Sequence, residues 1–345
     1  MNNTCSCEGV KSNTDNKNAS PTINTFLNSQ RALAETFTLT AFFRSLVNYP
    51  FSKEVINYLL SVSGLSKEEL QSRWDSFDRV FGEDYGRKIS ALSFSAIIEA
   101  RGLLIDSILR QKVDKNTIIL EVASGFSPRA VNLINNYGFN HTQYIETDKL
   151  EIIGLKKGFY NNLLDAKTPV LSSFNVINDD IGELEELILN LKEVNPDIYK
   201  LVILSEGLLI YLSPEEQRKY FGNLRKLKER LRLYGIEIEY ISIDLPSHEN
   251  FTDWLLHEGF SHEDHIQVMK NVDPKILECL HEKEESFFNN IGVDLDRVNK
   301  YYYQSGVLQH LETPKLDKYK SILGLDKKIE DFLRQKILFA YSIKL

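Results

Sequence analysis

A chain of 345 residues, 42% hydrophobic and 26% charged, is long enough for one large α/β domain with insertions or for two ordinary domains, and it is too apolar for wholesale disorder. The formal net charge of −8 argues against a nucleic-acid partner, because phosphate binding wants a basic face. Three cysteines (Cys5, Cys7, Cys279) cannot build a disulfide framework, no run of about 18 apolar residues offers a bilayer span, and the N-terminus lacks the apolar stretch of a secretory signal. A reducing, cytoplasmic setting with no membrane partner is the expectation.

Residues 1–25 are rich in Asn, Ser, Thr and Lys and read as a disordered tail. Cys5-Ser-Cys7 within it is one residue short of a zinc-knuckle spacing and has no second ligand pair nearby. Residues 26–112 have a helical pattern and read as an N-terminal cap, with Leu92, Ile97, Leu104 and Ile108 at helical spacing in the proline-free run Ile89 to Lys112. Strand-like and helical runs then alternate through the core, residues 113–345. The expected strands are Thr117–Val122, Gln143–Asp148, Phe174–Asp180, Lys200–Ser205, Ile236–Asp244, Val307–Leu311 and Ile337–Leu345. The helices between them are Ala130–Tyr137, Gly182–Lys192 and Pro214–Leu233. This alternation implies a doubly wound, mostly parallel sheet covered on both faces. The last run, ILFAYSIKL, is apolar enough to lie inside the sheet rather than at its edge. The charged, helical stretch 246–304 reads as a lid insertion.

The first strand ends in Glu121-Val122-Ala123-Ser124-Gly125, at the end of the sheet where open parallel sheets bind ligands. Ser127 is a candidate N-cap for the next helix, with Pro128 at its first position and Gly138 as its stop. Such a helix start offers N–H groups and positive potential to an anion. A dinucleotide site would use three glycines to meet a pyrophosphate, and only Gly125 is present. A single glycine suits a ligand with a small carboxylate, which describes the methionine end of S-adenosylmethionine (SAM). Asp148 ends the second strand about 20 residues later, the interval at which an acid binds ribose hydroxyls. Asp179 and Asp180, at the end of the third expected strand, could accept from an adenine amino group.

The segments EVASGFSPRA, YIETDKLEIIGLKK and SEGLLIYLSPEE, with Thr40–Arg44 (TAFFR) and Arg101–Asp106 (RGLLID), resemble those of the leucine carboxyl methyltransferase family, including its polyketide-pathway-type members. The resemblance runs from about residue 37 to 215. It implies a seven-stranded, Rossmann-like class I methyltransferase sheet using SAM. It further implies that Arg101 pairs with the SAM carboxylate and that Glu121, Ala123, Ser124 and Gly125 form the loop under the methionine. Asp148 would hold the ribose, Asp180 and Ile181 the adenine, and Glu206 the amino group, with Tyr211 lining the site. Many family members carry a second glycine where this chain has Ala123-Ser124-Gly125.

Each residue also has a plainer reading. Asp148 could be a helix cap, Arg101 could pair with Glu99 or Asp106, Tyr211 could be a packed aromatic, and Arg129 is expected only to cover the helix start. His257, His262 and His265, beside Glu258, Glu263 and Asp264, do not recreate a known ligand helix, so no metal is expected. The expected reaction is methyl transfer to an oxygen, a carboxylate first of all, of a small molecule or a peptide C-terminus. Arg44 and Tyr211 would hold that substrate. Two other readings stay open: a nicotinamide-dependent oxidoreductase on a similar sheet, and a non-catalytic binding protein with a methyltransferase fold. The sequence leaves the oligomeric state open.

Overall fold

The computed structural model describes residues 40–41, 44–45, 49–63, 66, 68–69, 91–175, 177, 181–249, 274–302 and 339–345. Helices α1 (Ser52–Ser63) and α2 (Ala91–Lys112) precede β1 (Thr117–Val122). There follow α3 (Arg129–Tyr137), β2 (Tyr144–Thr147), α4 (Leu150–Asn161), β3 (Val170–Ser172), α5 (Ile181–Val194), β4 (Lys200–Ser205), α6 (Pro214–Arg232) and β5 (Glu237–Ser242). The chain then forms α7 (Pro274–Cys279), α8 (Glu284–Asn290), β6 (Val298–Tyr302) and β7 (Phe339–Lys344).

These strands make one seven-stranded sheet in the order β3-β2-β1-β4-β5-β7-β6. The first five run parallel, and β7 is antiparallel to both β5 and β6. Strand order reverses between β1 and β4, so the sheet is doubly wound, with its switch point at the carboxyl end of β1. As the apolar ILFAYSIKL run implied, β7 lies between two neighbours.

Alternation along β1 sends Ile118, Leu120 and Val122 to one face and Ile119 and Glu121 to the other. The first face packs with Leu184 and Ile188 of α5, Phe221, Leu224 and Leu227 of α6, and Phe287 and Phe288 of α8. On the second, Leu104, Ile105 and Ile108 of α2 meet Leu133 and Ile134 of α3 across Ile119, Val202 and Ile241. A third cluster seats Val55, Ile56 and Leu59 of α1 against Val131, Ile152 and Phe159, so the N-terminal helices extend the core over α3 and α4.

Three expectations shift. The third strand is Val170–Ser172 rather than Phe174–Asp180; it is a short, half-buried edge strand whose pattern is weak, and Phe174 instead buries its ring in the core. An edge strand forms at Val298–Tyr302, where none was expected because Asn299 and Lys300 dilute the apolar signal. It falls in the stretch read as a helical lid, and Phe287 and Phe288 of that stretch belong to the main core. Finally, the α3 cap falls one residue later than expected, with Pro128 at the N-cap position and the Ser127 hydroxyl accepting from the Arg129 N–H (3.4 Å), while Gly138 ends the helix in the left-handed region as expected. Expectations for residues 1–25, for Cys5, Cys7, His257, His262 and His265, for Asp179 and Asp180, and for Val307–Leu311 lie outside the described residues.

Helix α6 opens with a full capping box, in which the Ser213 hydroxyl accepts from the Glu216 N–H and the Glu216 carboxylate accepts from the Ser213 N–H. Ser213→Ala should cost about 1 kcal/mol. Leu224→Ala, at a fully buried position between helix and sheet, should cost about 2–5 kcal/mol. Chemical denaturation of the two variants checks that ratio.

Candidate functional site

Beyond β1 the chain turns through Ala123 (φ 52°) and Gly125 (φ 48°), both left-handed. For alanine this conformation is strained, so something must hold it. The end of β2 does so: the Ser124 N–H donates to the Thr147 carbonyl (3.0 Å), and the Gly125 N–H donates to Asp148 Oδ2 (2.8 Å). The other Asp148 oxygen accepts from the Lys149 N–H (2.8 Å). A Cβ at Gly125 would meet nothing within 4 Å, so the corner borders open space. Burial pushes the Asp148 carboxyl up, against the hydrogen bonds from Gly125 and Lys149 and the nearby charge of Lys156.

Behind the corner lies a buried ionic network. Arg129, in the first turn of α3, is 0% exposed, and its guanidinium faces three carboxylates. Nε meets Asp106 Oδ1 (2.9 Å), Nη1 meets Glu121 Oε1 (2.5 Å), and Nη2 meets Glu206 Oε2. Tyr49 donates to Asp106 (2.7 Å) and Tyr144 to Glu121 (2.7 Å). Glu206, just past β4, also receives Arg44 Nη2 (3.0 Å) and lies 3.6 Å from Arg101 Nη2. Burial would raise the Glu206 carboxyl, but the pull of Arg44, Arg129 and Arg101 outweighs it and holds the group far below the ordinary carboxylate range. Asp244, past β5, lies 3.5 Å from Arg101 Nη2 and accepts from the Leu208 N–H (2.7 Å).

The expected residues therefore divide. Ala123, Ser124, Gly125 and Asp148 come together at the corner. Arg101, Arg44, Glu206 and Glu121 meet in the network beneath it. Glu121 is buried at 1% exposure, with one oxygen on Arg129 and the other on Tyr144. The Arg101 side chain is 27% exposed and its Nε has no hydrogen-bond partner among the described residues. Ile181 begins α5 with its side chain buried in the main core. Tyr211 ends the short turn Leu209–Tyr211 and packs against Ile276 and Leu280. Among the described residues no group of His, Cys, Asp and Glu forms a metal site, and no helix is long and apolar enough to cross a membrane.

Arg129 corrects the expectation that it merely covers the helix start. Its partners are 23, 8 and 77 residues away in sequence, beyond the reach of local pattern. Asp244, not among the residues expected in the site, stands two residues past β5, close to the strand-end position that Asp148 holds after β2.

No family model and no curated protein sequence matches this chain. Solved structures show a distant likeness. The plantazolicin methyltransferase BpumL in complex with SAH is 14% identical, with 91% of this chain and 98% of that one covered and a TM-score of 0.34. Human N-acetylserotonin methyltransferase in complex with SAM is 11% identical, with coverages of 95% and 72% and a TM-score of 0.38. The CurJ carbon methyltransferase is 10% identical, with coverages of 93% and 69% and a TM-score of 0.41. At TM-scores below 0.5 the chemistry has to rest on the residues of this chain.

Arg129→Met would leave the buried Asp106 and Glu121 without their cation and Glu206 with only Arg44 and Arg101, and should cost about 3–5 kcal/mol. Glu206 has a lowered pKa, so its stabilisation is present above the ordinary value of 4.5 and is lost as pH falls towards its folded value. The gap in unfolding free energy between wild type and Glu206→Gln should therefore be constant near neutrality and narrow below pH 4.5; denaturant titrations at several pH values measure it.

Proposed function

We propose that this chain is a SAM-dependent methyltransferase that transfers the methyl group to an oxygen, in first place a carboxylate, of a small molecule or a peptide C-terminus. The observation that carries the reading is the meeting of the left-handed Gly125 corner with the strand-end carboxylate of Asp148 at the sheet's switch point. A carboxylate has about four acceptor positions, and Asp148 gives two to the N–H groups of Gly125 and Lys149, which leaves acceptors for ribose hydroxyls. Arg101 keeps a buried Nε with no hydrogen-bond partner among the described residues, and a ligand carboxylate would satisfy it. Glu206 is ionised and fixed by three guanidiniums, so it presents a permanent acceptor for a cofactor amino group. The residues present thus fit SAM and offer no glycine-rich cradle for a pyrophosphate.

When bound, SAM supplies a methyl group already activated on its sulfonium. The protein's task is then placement, which can lower a barrier by about 7–11 kcal/mol in the best cases. A substrate carboxylate, with an ordinary pKa near 4, is ionised at pH 7 and needs no general base. We assign Arg44 and Tyr211 to the substrate side: Arg44 as a cation held on Glu206 Oε1, and Tyr211 as the aromatic beside the apolar pair Ile276 and Leu280.

Calorimetry with S-adenosylhomocysteine should show binding to the wild type, with Asp148→Asn and Arg101→Met each weaker by roughly 10- to 100-fold, the value of one charge-assisted hydrogen bond. Labelled SAM offered with a panel of acids, phenols and amines tests the acceptor. Transfer only to nitrogen or carbon would defeat the oxygen assignment.

A further inference from the structure

One buried ion pair lies outside the network just described. Lys156 of α4 is 0% exposed and stands 2.8 Å from Glu146 Oε1 in the middle of β2. Tyr160, one turn further along α4, donates to the other Glu146 oxygen (2.7 Å), and its ring lies 6.0 Å from the Lys156 ammonium. Taking two charges out of water is costly, and well-packed apolar residues commonly serve stability as well or better. Stability alone therefore gives no reason for a lysine here. What distinguishes this ammonium is its second contact, a hydrogen bond of 3.0 Å to the Ser124 hydroxyl.

We propose that Lys156 is a positioning residue for the cofactor corner: oriented by Glu146, it grips Ser124 between the two left-handed residues and so keeps the Gly125 N–H directed at Asp148. The inference rests on the corner being the cofactor site. The geometry makes the route short. Ser124 is bound through its N–H to Thr147 and through its hydroxyl to Lys156, so both the backbone and the side chain of this residue are tied to the β2–α4 unit that also carries Asp148. Ala123 and Gly125 flank it at φ 52° and φ 48°, a conformation that relaxes readily when its restraint is removed. Lys156 thus acts on the ligand through Ser124, without touching it.

The test uses Lys156→Met combined with Glu146→Gln, which removes both charges together and leaves neither buried alone, and separately Ser124→Ala and Ser124→Thr. Two readouts are taken: hydrogen exchange of the Gly125 amide in the ligand-free protein, and the affinity for S-adenosylhomocysteine by calorimetry. The proposal expects faster Gly125 exchange and affinity lowered about tenfold in both the double variant and Ser124→Ala. Combining all three substitutions should be no worse than either alone, because one path is being cut. Ser124→Thr, which keeps the hydroxyl, should slow Gly125 exchange back towards the wild-type rate and lose less affinity than Ser124→Ala. Unchanged Gly125 exchange in the folded double variant overturns the brace, and so do losses that multiply on combination. Faster Gly125 exchange in the variants, with a wild type that binds no S-adenosylhomocysteine, keeps the brace and overturns its link to the cofactor.

Discussion

Arg129 is wholly buried and satisfied by carboxylates from α2, from β1 and from the segment after β4. A guanidinium in that position tolerates little displacement, since each N–H lost leaves a charge in a medium that cannot solvate it. The first turn of α3 is thereby fixed to the two strands that flank the switch point. With the helix start fixed on one side and the end of β2 on the other, the residues between have no freedom to relax. That is how a corner containing a left-handed alanine persists.

The same network sets the electrostatics of the face above it. Three arginines meet four acids, Asp106, Glu121, Glu206 and Asp244, and the resulting near-balance lets so many charges share a dry interior. Glu206 stays ionised within this set, whereas burial drives Asp106 and Asp244 upward against the pull of Arg129 and Arg101 respectively. Arg101 is the most exposed of the three arginines, at 27%, and its Nε has no hydrogen-bond partner among the described residues, which is why we assign the ligand carboxylate to it and not to Arg129.

Much of the frame was legible in the chain. β1 and β4 are continuous apolar runs closed by turn residues, and their bounds could be read directly because central strands of a covered sheet have few polar residues to blur them. Edge strands are different. β3 is three residues long, and β6 carries Asn299 and Lys300, so neither has a pattern that separates it from a loop. In the site, Gly125 and Asp148 were visible because strand ends and glycine turns are local signals. The placement of Arg129, Lys156 and Glu146 was not visible, since it depends on partners brought together by the register of β1 with β2 and β4. Arg101 and Glu206 carry no such local signal, and only the folded network brings the two within 3.6 Å.

A crystal structure with S-adenosylhomocysteine bound tests the central claim most directly. The account predicts the ligand's ribose hydroxyls on Asp148, its carboxylate on Arg101, and the Gly125 corner unchanged beside the methionine chain. A ligand seated elsewhere on the sheet, or one whose ribose leaves Asp148 without a contact, would contradict it.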